Sequence, residues 1–207
     1  GSGKTTTMKI ITGLLKADSG SIILDGIDAL KEPQALKKKI GYMPDFFGVY
    51  DNLKVIEYMM FYASTYGIVG KTARKTCLEL MELVGLKDKD QAHVDGLSRG
   101  MKQRLCLART LIHDPKLLIL DEPASGLDPR VRYEMKLILE EIKNSGKTIL
   151  ISSHILPEIA KVCTSIGIIE SGRMVVTGTV DEILIARGAF APLNIKLIGD
   201  TAAAIEV

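Results

Sequence analysis

The run Leu117-Leu118-Ile119-Leu120 is apolar throughout and is closed by Asp121-Glu122-Pro123. A strand with no polar residue on either side has to be covered on both faces, as happens in parallel sheets with crossover helices above and below. The run therefore predicts the middle strand of an α/β layer structure. It also predicts that Asp121 and Glu122 emerge at the carboxyl end of that strand, where open α/β sheets bind ligands. Taken alone, the two acids also fit a solvated strand end stopped by proline.

The rest of the chain has the alternation this requires, with one interruption. Residues 4–15 carry Met8, Ile11, Leu14 and Leu15 at helical spacing. A strand is expected at 21–24 before the Asp25-Gly26 turn, a short helix at 34–39, and a strand at 40–43 ended by Pro44. From 52 to 113 the pattern is helical only, with helices expected at 53–66, at 72–84 and from Ser98 onward. Strands and helices then alternate: strand 117–120, helix 130–144, strand 148–151, helix 156–162, and strands 165–169 and 174–176. Such alternation argues for a largely parallel sheet. A new element begins after Gly188.

Composition sets limits on function. With 46% hydrophobic and 25% charged residues in 207, the chain reads as one ordinary globular domain, and a net charge of +2 gives no broad basic face for nucleic acid. Lys37, Lys38 and Lys39 read as a solvated helix end. Cys77, Cys106 and Cys163 fit no metal-ligand spacing and read as reduced, packed thiols. No apolar run approaches the length of a membrane-spanning helix, so a cytoplasmic or peripheral protein is expected.

Two further segments carry chemistry. Gly1-Ser2-Gly3-Lys4-Thr5-Thr6 contains the end of the phosphate-loop pattern G-x-x-x-x-G-K-[ST]. Glycines there let backbone N–H groups converge on phosphate oxygens, Lys4 reaches the β- and γ-phosphates, and Thr5 can ligate Mg²⁺. A Gly-Lys-Thr also occurs in ordinary loops. Leu97-Ser98-Arg99-Gly100-Met101-Lys102-Gln103-Arg104 reads as a helix opened by a serine cap.

Order and company raise these pieces to a pattern. Leu97 to Arg104 resembles the Leu-Ser-Gly-Gly-Gln signature of the ATP-binding cassette (ABC) family, with its third and fifth residues changed. Ser125-Gly126-Leu127-Asp128 is similar to the family's D-loop, and His154, in Ile151-Ser152-Ser153-His154, to its switch histidine. Ile40-Gly41-Tyr42-Met43-Pro44-Asp45 resembles its Q-loop, with Asp45 at the glutamine position. With the phosphate loop and the acidic strand end, the motifs run in the family's order over nearly the whole chain, and the run 42–53 looks most like multidrug or antibiotic exporters of the ABC-2 class.

The resemblance implies an α/β P-loop NTPase fold, a mostly parallel sheet flanked by helices with an all-helical subdomain. It divides the chain into the start of a RecA-like ATP-binding core (1–51, first strands missing), a helical signature subdomain (52–113), the rest of the core (114–187) and the start of a C-terminal extension (188–207). It implies ATP and Mg²⁺ as ligands. Glu122 and His154 are then catalytic; Gly1, Ser2, Gly3, Lys4, Thr5, Thr6, Asp45, Ser98, Gly100 and Asp128 bind nucleotide; Thr5, Asp121 and Asp45 serve the metal. The phosphate on Ser98 and Gly100 belongs to ATP on a second subunit, so two nucleotide-binding subunits meet head-to-tail and drive a membrane permease, on whose inner face the chain sits. A soluble ABC ATPase of translation or DNA maintenance is the alternative, but those resemble tandem cassettes or carry a long coiled-coil insertion. Without the strand that leads into the phosphate loop, neighbouring backbone groups go unpaired at roughly 1–3 kcal/mol each if buried. Residues 1–207 alone are expected to be marginally stable and weakly active. A carboxylate at Asp45 accepts but does not donate, so altered metal dependence is expected. Met59, Met60, Phe61 and Tyr62 read as core packing, with a groove for the permease as the other option.

Overall fold

The computed structural model describes residues 2–45, 48, 52–155 and 162–186. Three parallel strands form its middle: β3 (Ile40–Met43), β4 (Leu117–Asp121) and β5 (Thr148–Ser152), in the order β3-β4-β5. Before them come α1 (Lys4–Ile11), a two-residue hairpin of β1 (Ile23–Leu24) and β2 (Ile27–Asp28), and α2 (Pro33–Lys37). The middle strand behaves as its sequence requires. Leu118 and Leu120 face a large cluster that includes Met43, Leu105, Met135 and Leu139, while Ile119 faces a second cluster with Met8, Ala29, Leu36 and Ile40.

Between β3 and β4 the chain makes α3 (Val55–Thr65), α4 (Gly70–Leu83), a 3₁₀ turn (Lys87–Lys89) and α5 (Arg99–Leu111). The Ser98 hydroxyl accepts the Met101 N–H at 3.3 Å and so starts α5. This helix is buried nearly all round, with Leu105, Cys106, Leu107, Ala108 and Leu111 inside, because it runs from the helical region down to the sheet. After β4, Pro129 opens α6 (Pro129–Asn144), whose buried Met135, Ile138, Leu139 and Ile142 form one helical stripe.

Met59 is fully buried whereas Phe61 is 46% exposed. Cys77 and Cys106 are buried free thiols, pushed up to about 11 by burial; Cys163 is half-buried and also raised by burial.

Two expectations need correction. The strand expected at 21–24 is shortened to Ile23–Leu24 and pairs antiparallel with β2 in a two-stranded hairpin. The strands expected at 165–169 and 174–176, β6 (Ser165–Glu170) and β7 (Arg173–Thr179), pair antiparallel with each other, because Ser171 and Gly172 both take positive φ and close a tight turn. They lead into α7 (Val180–Ala186). Among the described residues β6 pairs only with β7, and β5 only with β4. Most of the helix expected at 156–162 and all of the segment after Gly188 fall on 156–161 and 187–207, outside the described residues.

His113 fastens the helical region to the sheet. Its Nε2 lies 2.9 Å from the Ile40 carbonyl, so the neutral ring donates there, and the ring stacks on Tyr66 at 4.0 Å. Nδ1 is buried without a partner. Burial lowers the pKa, Ile40 and Asp114 oppose that, and Lys147 assists it. A histidine held neutral in the fold but protonated when unfolded contributes stability above its unfolded value, about 6.5, which is lost as pH falls through the lowered native value. Urea midpoints should therefore decline between pH 7.5 and 5.5, and decline less in His113→Gln, which can still donate to Ile40. An equal decline in both proteins would remove His113 as the cause.

Candidate active site

Parallel pairing sets Asp121, the last residue of β4, beside Ser152 at the end of β5. The Ser152 hydroxyl donates to Asp121 Oδ1 at 2.5 Å and accepts the Glu122 N–H at 3.0 Å, so one buried hydroxyl pins both acids. Glu122 has φ of +52°, a conformation that costs a non-glycine residue of order 1–3 kcal/mol and collects at functional sites. That turn brings its carboxylate to His154, with Oε2 2.9 Å from Nδ1. The Glu122 side chain is 15% exposed and that of His154 61%. The contact places Nδ1, rather than Nε2, against the carboxylate.

Asp121 is 1% exposed and its Oδ2 has no hydrogen-bond partner. The Tyr42 hydroxyl is also buried without a partner; burial raises its pKa, and the charges of Asp121 and exposed Asp45 add to this. Buried polar atoms without partners need a water, ion or ligand to account for them. Among the described residues no three His, Cys, Asp or Glu side chains gather to cage a metal. Mg²⁺ at a phosphate site needs only one or two protein oxygens beside phosphate and water, and Asp121 Oδ2 with the Thr5 hydroxyl fits that donor set.

On the basic side, Gly3 sits at φ +101° and caps α1 with no side chain. The Gly172 N–H donates to the Ser2 carbonyl at 3.0 Å, and a Cβ on Gly3 would lie 3.4 Å from Gly172 Cα. Lys4 Nζ donates to Ser2 Oγ at 3.2 Å. Thr5 and Thr6 are exposed in the first turn, where helical amides have no helical acceptor. Met8 and Ile119 share one cluster, so α1 lies against β4. Gly1 lies outside the described residues.

Ser98, Gly100 and Asp128 form a separate group. Asp128 Oδ1 accepts from the Arg130 and Val131 N–H groups at 3.1 Å each and caps α6. Gly100 is buried, and a Cβ there would meet Val131 Cγ1 at 2.5 Å, so its missing side chain is required by packing within this chain. Among the described residues no hydrogen bond or ion pair joins Ser98 or Gly100 to Lys4, Thr5, Asp121, Glu122 or His154.

The family profile described as "ABC transporter" matches residues 1–125, from the phosphate loop to the start of the D-loop segment. The chain belongs to the ABC transporter family. Relatives of this ABC protein include the linearmycin resistance ATP-binding protein LnrL of Bacillus subtilis, 34% identical over 96% of this chain and 64% of its own length. The Nod factor export ATP-binding protein I of Burkholderia orbicola is 38% identical over 86% of this chain and 59% of its own length. The chain thus spans less than two thirds of either relative. A solved structure of cbiO1 from Clostridium perfringens, part of the ABC transporter complex cbiONQ, superposes with a TM-score of 0.81 at 27% identity, covering 95% of this chain and 80% of that one.

Within the ABC frame, motif reading missed Ser152, Tyr42 and the reach of Arg99. Ser152 lies in the same tetrapeptide as His154, but only the strand register puts its hydroxyl against Asp121. Tyr42 stands in the Q-loop segment with no role read for it, and its hydroxyl is buried without a partner.

Proposed function

We propose that this chain is the ATP-binding and ATP-hydrolysing part of an ABC transporter, in which ATP closes two subunits head-to-tail and drives a membrane permease, in the direction of export. The observation that carries this is the chain of contacts from Asp121 through Ser152 to Glu122 and His154: one buried acid with a free oxygen for a cation, and one strained, slightly exposed acid held by a histidine.

In this reading Lys4, with the amides and hydroxyls of Ser2, Gly3, Thr5 and Thr6, holds the phosphates of ATP. Thr5 and Asp121 would hold Mg²⁺, with Asp45 near them, and the cation would neutralise phosphate charge. Glu122 orients the attacking water and takes its proton, while His154 keeps that carboxylate in place. Ser98 and the Gly100 N–H meet the γ-phosphate of ATP held by the second subunit, and Asp128 shapes the loop that faces it. Loss of the bridging γ-phosphate loosens the pair, which makes closure switchable.

Export is supported by the descriptions of the two relatives, one a resistance protein and the other an export protein. Among the described residues no helix is long and apolar enough to cross a membrane. In this reading the spanning permease is a further segment or subunit, and the chain docks on its inner face. The direct check is hydrolysis by the full-length protein. Saturable phosphate release that requires Mg²⁺ is expected; failure to bind or cleave ATP overturns the reading.

A further inference from the structure

Arg99 stands where the family signature has a small residue, and its side chain goes somewhere definite. Its guanidinium lies on Gly126: a Cβ built on that glycine would be 2.6 Å from Cζ and Nη2 and 2.7 Å from Nη1. Gly126 has φ of +66°, so its backbone favours glycine, and the missing side chain leaves room for the guanidinium to lie on it. Nη2 donates to the Ser125 carbonyl at 3.1 Å. The same Ser125 residue donates its N–H to the Glu122 carbonyl at 3.0 Å. Two hydrogen bonds therefore lead from the first residue of α5 to the backbone of Glu122. The next residue, Gly100, packs on Val131 in the first turn of α6, so the two helix ends and the loop between Glu122 and α6 form one block.

Resting on the head-to-tail reading, we propose that Arg99 is a positioning residue that couples the two ATP sites of the dimer. It ties the helix end facing the partner's ATP to the loop that holds Glu122 for this subunit's own ATP. A phosphate arriving at the start of α5 then bears on Glu122 of the other site through Ser125. The coupling runs through a backbone carbonyl and needs a long donor rather than a particular charge.

The test uses the full-length protein and its Arg99→Ala and Arg99→Lys variants. In Arg99→Ala, kcat falls about 10-fold, as expected for a misplaced group remote from the bond that breaks. The Hill coefficient for ATP falls toward one, while the Kd of a fluorescent ATP analogue stays at the wild-type value. Arg99→Lys, which can still donate to Ser125, recovers part of both. Hydrogen exchange in the peptide spanning 123–128 rises in Arg99→Ala and not in the peptides of α6. Unchanged kcat and Hill coefficient overturn the proposal, and so does a loss expressed as weaker ATP binding, which would mean that Arg99 touches phosphate directly. If the wild-type protein itself fails to hydrolyse ATP, the ATPase reading falls, and the exchange measurement alone decides whether Arg99 holds the loop: no change in 123–128 overturns that too.

Discussion

With Glu122 replaced by Gln, the full-length protein binds ATP with unchanged affinity and hydrolyses it about 10²–10⁴-fold more slowly, the usual worth of a positioned general base. The substitution is nearly isosteric. The left-handed turn at Glu122 is kept by the Ser152 hydroxyl on its N–H, which does not depend on the carboxylate, and the amide oxygen can still accept from His154 Nδ1. Only the capacity to take a proton from water is removed. Asp121, with its free buried oxygen, is untouched, so cation and phosphate binding persist. Steady-state phosphate release with parallel equilibrium binding of nucleotide checks this, and undiminished turnover would take Glu122 out of its role.

Gly41→Ala strongly destabilises the protein, because its added methyl has no room. Gly41 is buried in β3, and a Cβ there would lie 2.4 Å from the Thr110 backbone oxygen, 2.8 Å from Leu118 Cδ2 and 3.0 Å from Pro115 Cγ. The difficulty is space rather than backbone angle. The closest obstacle belongs to the end of α5, which is fixed by its own burial, so the strand and the helix must move apart. Overpacking of this kind costs about 3 kcal/mol, a large share of the ~5–15 kcal/mol that holds a domain together. Urea unfolding of the full-length protein should show a lower midpoint at constant slope. Gly96→Ala, whose added methyl meets only the His93 carbonyl at 3.5 Å, is the control and should stay near wild type. A Gly41→Ala protein within about 0.5 kcal/mol of wild type would mean that this junction yields more easily than its geometry indicates.

Local chemistry made much of the fold readable in advance. Period and caps located α3 to α6 to within a few residues: Ser98 at the start of α5 and the stripe Met135, Ile138, Leu139, Ile142 on α6 need no tertiary information. The apolar run 117–120 declared a strand covered on both sides, and both clusters are found. Pairing was less legible. The Asp25-Gly26 turn is written in the chain and the Ser171-Gly172 turn emerges only in the structure, and whether flanking strands fold back on each other or join a larger sheet depends on partners far away in sequence.

The site divides in the same way. Lys4, Thr5, Asp121, Glu122 and His154 announce themselves by residue type and order. Ser152 reaches Asp121 only across the register of two strands, and Arg99 reaches Gly126 only where two helix starts converge. Contacts of that kind are set by packing, and no short motif encodes them.

The central claim, that each ATP is held between two copies, is tested most directly by mixing two full-length variants that fail for different reasons. Lys4→Ala damages the phosphate-loop side and Ser98→Arg the facing helix. Each alone should be nearly inactive. Mixed in equal amounts, random pairing makes half of the dimers mixed, each with one intact site, and activity should rise well above either variant, to about a quarter of wild type if the sites act independently and to less in proportion to their coupling. A mixture no more active than its components, under conditions where the wild-type protein pairs and turns over, would contradict the shared site.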